Sequence, residues 1–162
     1  MEATNKDILI LGLGNEILMD DGIGPKLCME VQKKLSQPNI KYETAAIGGL
    51  DLLELIRDYN TLIIIDAIKT KDGKPGDVYY LTPSSFKETS NISNIHDISF
   101  LTALKLGEKL NIKIPSKIHI IAIEIVEDLI FGSCFTTAIQ QKYDAIKNEV
   151  VKLISELIFL KH

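Results

Sequence analysis

Three runs of aliphatic residues constrain this chain more than any other feature. Ile8-Leu9-Ile10-Leu11, Leu62-Ile63-Ile64-Ile65 and the stretch from Ile118 to Ile123 are apolar at nearly every position rather than at alternate ones. A strand with one wet face alternates, whereas a strand that is apolar throughout is buried on both faces, as in a parallel sheet covered by helices on either side. Two further strands read from the pattern, at Ile40 to Ile47 and at Val78 to Leu81. Between the strands, apolar residues recur three and four apart: Leu27, Cys28, Val31 and Leu35, then Leu52, Leu53 and Ile56, then Ile98, Leu101, Leu104 and Leu106. The last such stripe, Ile139, Tyr143, Ile146, Val150, Leu153, Ile154 and Leu157, predicts a long helix over Thr137 to Leu160. Strands alternating with helices give a doubly wound, three-layer α/β/α sandwich with a mostly parallel sheet of about five strands. The length suits a single core, so residues 1–162 are expected to form one domain.

Two segments interrupt this regularity. Lys69 to Asp77 is a polar excursion with turn chemistry, and it feeds Val78-Tyr79-Tyr80-Leu81 into the sheet as an edge strand that is free to run antiparallel. Thr82 to Asn94 is rich in Ser, Thr and Asn and lacks a period, so it reads as a surface loop that delivers His96 to the helix starting at Ile98.

Composition excludes several classes of function. With 22 acidic and 18 basic residues the net charge is −4, and no Lys/Arg cluster offers a stripe for nucleic acid. The two cysteines, Cys28 and Cys134, lack zinc-site spacing and are expected to be small core residues. The polar start leads straight into a strand, unlike a signal peptide, and no apolar stretch reaches about 18 residues, so a cytoplasmic protein free of membranes is expected. No exposed apolar stripe demands a dimer, and a monomer is expected.

The chemistry concentrates between the first strand and the first long helix, which starts near Pro25. Gly12-Leu13-Gly14-Asn15-Glu16-Ile17-Leu18-Met19-Asp20-Asp21-Gly22-Ile23-Gly24 holds four glycines and two adjacent carboxylates. A tight loop there sets Asp20 and Asp21 at the sheet's carboxyl edge, where open α/β sheets bind ligands. Asp66 follows the third strand, beside the first strand in such a sheet, and His96 follows the fourth. Two carboxylates at one edge repel, and they call for a shared proton or a cation. With an imidazole, Asp21 and Asp66 form a donor set suited to a borderline divalent metal with open positions. Plainer roles are open to each residue. Asp20 or Asp21 could cap the helix near Pro25, Asp66 could close an Asx turn, His96 could be solvated, and Asn15 could hold the glycine turn. His119, inside a strand, and the terminal His162 read as structural or idle. Neither a Ser-His-Asp pattern nor a Cys with a His partner is visible.

The string Gly12-x-Gly14-Asn15-x-x-Leu18-x-Asp20-Asp21-Gly22-x-Gly24, with Ile63-Ile64-Ile65-Asp66-Ala67 and the later His96, resembles the hydrogenase maturation protease family over nearly the whole chain. The resemblance implies a cytosolic endopeptidase, aspartic-type or metal-assisted. Its substrate would be the large-subunit precursor of a NiFe hydrogenase, which loses its C-terminal extension after nickel insertion. It implies that Asp21, Asp66 and His96 contact the metal, that Asp21 and Asp66 are catalytic, and that Asp20 is the acidic residue beside them. The nickel is then supplied by the precursor, and no separate cofactor site is expected. The chain departs from the family at Thr44 to Gly49, which lacks the carboxylate of an Asp-Gly-Gly-Thr-like turn, and at Thr136-Thr137, which replaces a Ser/Thr-Pro pair.

Three other readings compete. A dinucleotide site would want a glycine where Ile17 stands, and two carboxylates would face its pyrophosphate. A magnesium-binding phosphoacceptor domain of the receiver type would want its acidic pair directly after the first strand and a Lys at the end of the fifth, where this chain has Glu124. A non-proteolytic binding relative of the family is the third.

Overall fold

The computed structural model describes residues 7–46, 48–88 and 95–160, with the backbone alone for 86–88 and 95–99. Five strands, β1 (Ile8–Leu13), β2 (Ile40–Ala45), β3 (Thr61–Ile68), β4 (Val78–Leu81) and β5 (Lys117–Glu124), form one sheet in the order β2-β1-β3-β5-β4. All neighbours run parallel except β4, which pairs antiparallel with β5 at the edge. Among the described residues five α-helices accompany them: α1 (Ile23–Lys34), α2 (Leu50–Ile56), α3 (Pro83–Glu88), α4 (Ile95–Lys109) and α5 (Thr137–Phe159).

The solid apolar strands have the expected cause. Ile8, Ile10, Ile63, Ile65, Ile121 and Ile123 pack on one face with Leu27 and Val31 of α1 and Ile139, Ile146, Val150 and Ile154 of α5. Their neighbours Leu9, Leu11, Leu62, Ile64, Ile120 and Ala122 face the other way, onto Leu52, Leu53 and Ile56 of α2 and Phe100, Ala103 and Leu104 of α4. Each strand feeds two cores, so neither set of alternate positions can be polar. The result is the doubly wound, three-layer α/β/α sandwich with a mostly parallel sheet that the sequence predicts.

Several local expectations give way. The expected loop from Thr82 to Asn94 contains α3, and residues 89–94 lie outside the described set. Thr82 Oγ1 accepts the Ser85 N–H at 3.4 Å while Pro83 takes the first helical position, a capped start that the Ser/Thr richness concealed. The next helix begins at Ile95 rather than Ile98, so His96 sits in the first turn of α4 and not in a loop; its side chain lies outside the described residues. The inward stripe of α4 runs through Phe100, Ala103 and Leu104, with Leu101 and Leu106 only half-buried. Strand β3 continues past Ile65 to Ile68, so Asp66 is a strand residue opposite Ala122.

The cysteines differ in kind. Cys28 is buried, its thiol reaching the Ile10 and Glu43 carbonyls at 3.6 and 3.4 Å, and burial pushes it up to about 11. Cys134 is exposed, contrary to expectation, because its neighbour Phe135 takes the core position.

At the β4/β5 edge, Tyr80 stacks on His119 and its hydroxyl shares a hydrogen bond with His119 Nδ1 at 2.8 Å. Burial, and then the charge of Lys117, hold the imidazole below its ordinary range. A depressed histidine contributes stability that is present above its unfolded value of about 6.5 and is lost as pH falls through the lower folded value. Thermal melts at about pH 7.5 and about pH 5.5 should therefore show a larger drop in Tm for the wild type than for His119→Phe. Equal drops would mean that this ring does not titrate with folding.

Candidate active site

A doubly wound sheet offers its crevice where successive crossovers leave in opposite directions. Here that point lies between β1 and β3, because the chain leaves β1 toward β2 on one side and later returns to β3 on the other. Gly12 of β1 lies opposite Ile65 of β3, which sets Leu13 beside Asp66 at the carboxyl edge.

The loop after β1 is pressed onto this edge by close backbone approach. A Cβ on Gly24, in the first turn of α1, would run into the Leu13 carbonyl oxygen and lie 2.5 Å from that of Ile65. Gly12 faces the same contact from the strand, since its Cβ would lie 2.6 Å from the Gly24 oxygen. The helix start is thus seated directly on the ends of β1 and β3, and Asp21, one turn ahead of it, is carried to the edge that holds Asp66.

Asp21 is 2 % and Asp66 5 % exposed. Asp21 Oδ2 accepts the Asn15 N–H at 2.7 Å, and the Asp21 N–H donates to the Leu18 carbonyl at 3.1 Å, closing a 3-10 turn over Met19–Gly22. Asn15 takes part in the glycine turn, its Oδ1 accepting the Ile17 N–H at 3.2 Å. Asp66 Oδ1 accepts the Ala67 N–H at 2.8 Å, and alternation along β3 puts its side chain on the face of Ile64 and Ile68, toward α2 and α4. His96 stands at the start of that same α4. A carboxylate from the turn after β1 and one from the end of β3 are therefore brought to one edge of the sheet, on the side of the helix that bears the imidazole. Among the described residues, no three His, Cys, Asp or Glu side chains group to hold a metal ion.

Neither aspartate of the loop caps α1, whose N-cap is Gly22 without a side-chain bond. Asp20, 0 % exposed, turns instead to the segment between β5 and α5. Its Oδ1 accepts the Thr136 N–H at 2.7 Å, and its Oδ2 accepts the Thr136 hydroxyl at 2.8 Å and the Val126 and Glu127 N–H groups at 3.1 Å each. Thr136 is the N-cap of α5. No local pattern could reveal a bond between residues 116 apart.

The other walls of the mouth are also tied by charge. Glu124, buried at the end of β5, accepts the Thr70 N–H at 2.7 Å, the Thr70 hydroxyl at 2.9 Å and the Tyr79 hydroxyl at 3.2 Å, which anchors the polar excursion after β3. Lys69 pairs with Asp128 at 3.0 Å, joining that excursion to the segment after β5. On that segment Leu129 and Phe131 are 79 % and 77 % exposed, with Ile130 and, across the loop, Ile17 also open to solvent. These side chains form an exposed apolar ledge on the segment between β5 and α5.

Comparison with known proteins bears on the family and the fold. A family model described as hydrogenase maturation protease matches residues 25–153. The chain is 32 % identical over 75 residues to the hydrogenase 2 maturation protease of Escherichia coli, covering 46 % of each chain. It is 31 % identical over 97 residues to a putative hydrogenase maturation protease of Methanocaldococcus jannaschii, covering 59 % of this chain and 58 % of that one. These alignments span about half the length of the curated relatives. Among solved structures, the maturating endopeptidase HybD of E. coli superposes with a TM-score of 0.72 at 22 % identity over 94 % of both chains, a likeness of fold. The NiFe hydrogenase maturation protease HybD of Thermococcus kodakarensis does so with a TM-score of 0.66 at 27 % identity, over 93 % of this chain and 98 % of that one. At the end of β5, where a phosphoacceptor site would want a lysine, stands the hydrogen-bonded Glu124.

The seating of α1 is directly testable. In Gly24→Ala the new methyl meets two backbone carbonyls that cannot swing aside, so a loss of about 2 kcal/mol or more is expected by urea denaturation. A change within about 0.5 kcal/mol would mean that the helix start is free to lift from the sheet.

Proposed function

Because the chain belongs to the hydrogenase maturation protease family, we propose that it is an endopeptidase that removes the C-terminal extension of a NiFe-hydrogenase large-subunit precursor after nickel insertion. The observation that carries this reading is the pair Asp21 and Asp66, two buried carboxylates, one from the turn after β1 and one from β3, at the switch point of the sheet. The nickel enters with the precursor, as part of the substrate. Asp21 and Asp66, with His96 from α4, supply oxygen and imidazole donors of the type a borderline divalent ion accepts. Docking the metal there fixes the adjoining peptide and turns recognition of a mature metal site into positioning of the scissile bond. A water activated by a carboxylate or polarised by the metal then attacks the peptide carbonyl. The apolar ledge of Leu129, Ile130 and Phe131 supports a polypeptide substrate rather than a small polar one.

The remaining features of the reading are a monomer, one domain over residues 1–162, acting in the cytoplasm away from nucleic acid and membranes. No helix among the described residues is long and apolar enough to cross a membrane.

The test mixes purified protein with a large-subunit precursor, nickel-loaded or nickel-free, and reads the precursor's mass. Loss of a C-terminal peptide from the nickel-loaded form alone is expected, and an intact precursor in both samples would favour a non-proteolytic relative. Asp66→Asn should lower processing by about 100-fold or more while leaving the melting transition cooperative. Full processing by that variant would remove Asp66 from the mechanism.

A further inference from the structure

We infer that Asp20 is a positioning residue that holds the substrate-binding wall of the mouth, residues 126–136, in register with the turn carrying Asp21. The inference rests on the proposed proteolytic reading and goes beyond it, since it assigns a role to a buried carboxylate that does not itself meet the substrate.

The bonds between the two segments form a closed set. Besides the four that reach the Asp20 carboxylate, the Asp20 N–H donates to the Glu127 carbonyl at 3.1 Å, the Met19 N–H to the Gly132 carbonyl at 3.0 Å, and the Gly132 N–H to the Ile17 carbonyl at 2.9 Å. The ledge Leu129 to Phe131 lies between these fastenings, and its far end is held where Lys26 sits 4.3 Å over the Phe135 ring. Met19 occupies left-handed backbone, φ 46°, a conformation unfavourable for a non-glycine residue that persists where its surroundings impose it.

The chemistry at Asp20 requires a carboxylate. Four donors converge on two oxygens, and all four need an acceptor. An amide would turn an NH2 toward at least one of them, so that two donors face each other in a buried place. Asp21 keeps independent ties, to the Asn15 N–H and the Leu18 carbonyl. Loss of the Asp20 clamp therefore loosens the wall more than the carboxylate at the crevice, and its kinetic signature is weaker substrate binding rather than slower chemistry.

Asp20→Asn and Thr136→Val are compared with wild type for processing of the nickel-loaded precursor and for amide hydrogen exchange. Expected is a rise in KM of about tenfold for Asp20→Asn and about threefold for Thr136→Val, with kcat within about threefold in both. Exchange should quicken at Val126, Glu127 and Thr136, and Thr136→Ser, which restores the hydroxyl, should return both readouts to wild type. If Asp20→Asn does not fold, Thr136→Val and its serine rescue decide. Unchanged KM and exchange would overturn the inference, as would a collapse of kcat at constant KM, which would make Asp20 part of the reacting group. Should wild type cleave no precursor, the proteolytic reading fails by itself, and the clamp stands or falls on the exchange data.

Discussion

The site depends on how closely α1 can approach the sheet. With hydrogen atoms in place of side chains at Gly12 and Gly24, the first turn of the helix rests on the carbonyl groups of Leu13 and Ile65. Any Cβ would lift the helix, and the turn ahead of it would move away from β3. The glycine-rich string is thus a spacing device. It seats the turn that bears Asp21 against the end of the sheet where β3 bears Asp66, from a distant part of the chain.

Buried charge at this edge is divided between two tasks. Asp20 and Glu124 spend their oxygens on donors from other loops, and each fastens a segment that would otherwise carry unpaired N–H groups into a buried place. Asp21 and Asp66 stand at the crevice itself, each accepting a nearby backbone N–H that orients one oxygen. A carboxylate held by backbone donors keeps its direction, which fixes the geometry of whatever site it serves.

Much of this was legible in the residues. The uninterrupted apolar runs revealed strands buried on both faces, and β4 appeared at its observed bounds and at the edge because a polar turn precedes it. Misreadings arose where a local signal had two causes. Ser and Thr in the Thr82 to Asn94 stretch suggested a loop, but Thr82 and Ser85 use their hydroxyls to start α3. Leucines marked only part of the inward face of α4: Leu104 is buried and Leu101 half-buried as expected, while Phe100 and the small Ala103 complete the face. Cys134 looked like a core residue until Phe135 claimed that place.

The sequence by itself determined the layered architecture, the order of its elements and the candidacy of Asp21, Asp66 and His96, because periodicity and glycine content act over a few residues and follow from local sterics and burial. Only the tertiary structure showed what Asp20 holds. Asp20 and Asp21 are neighbours of the same chemistry, and resemblance of the string, not any local pattern, sets Asp21 apart. The crossing of the chain at the switch point turns one toward the α5 N-cap and the other into the crevice, and that choice is made by donors more than a hundred residues away.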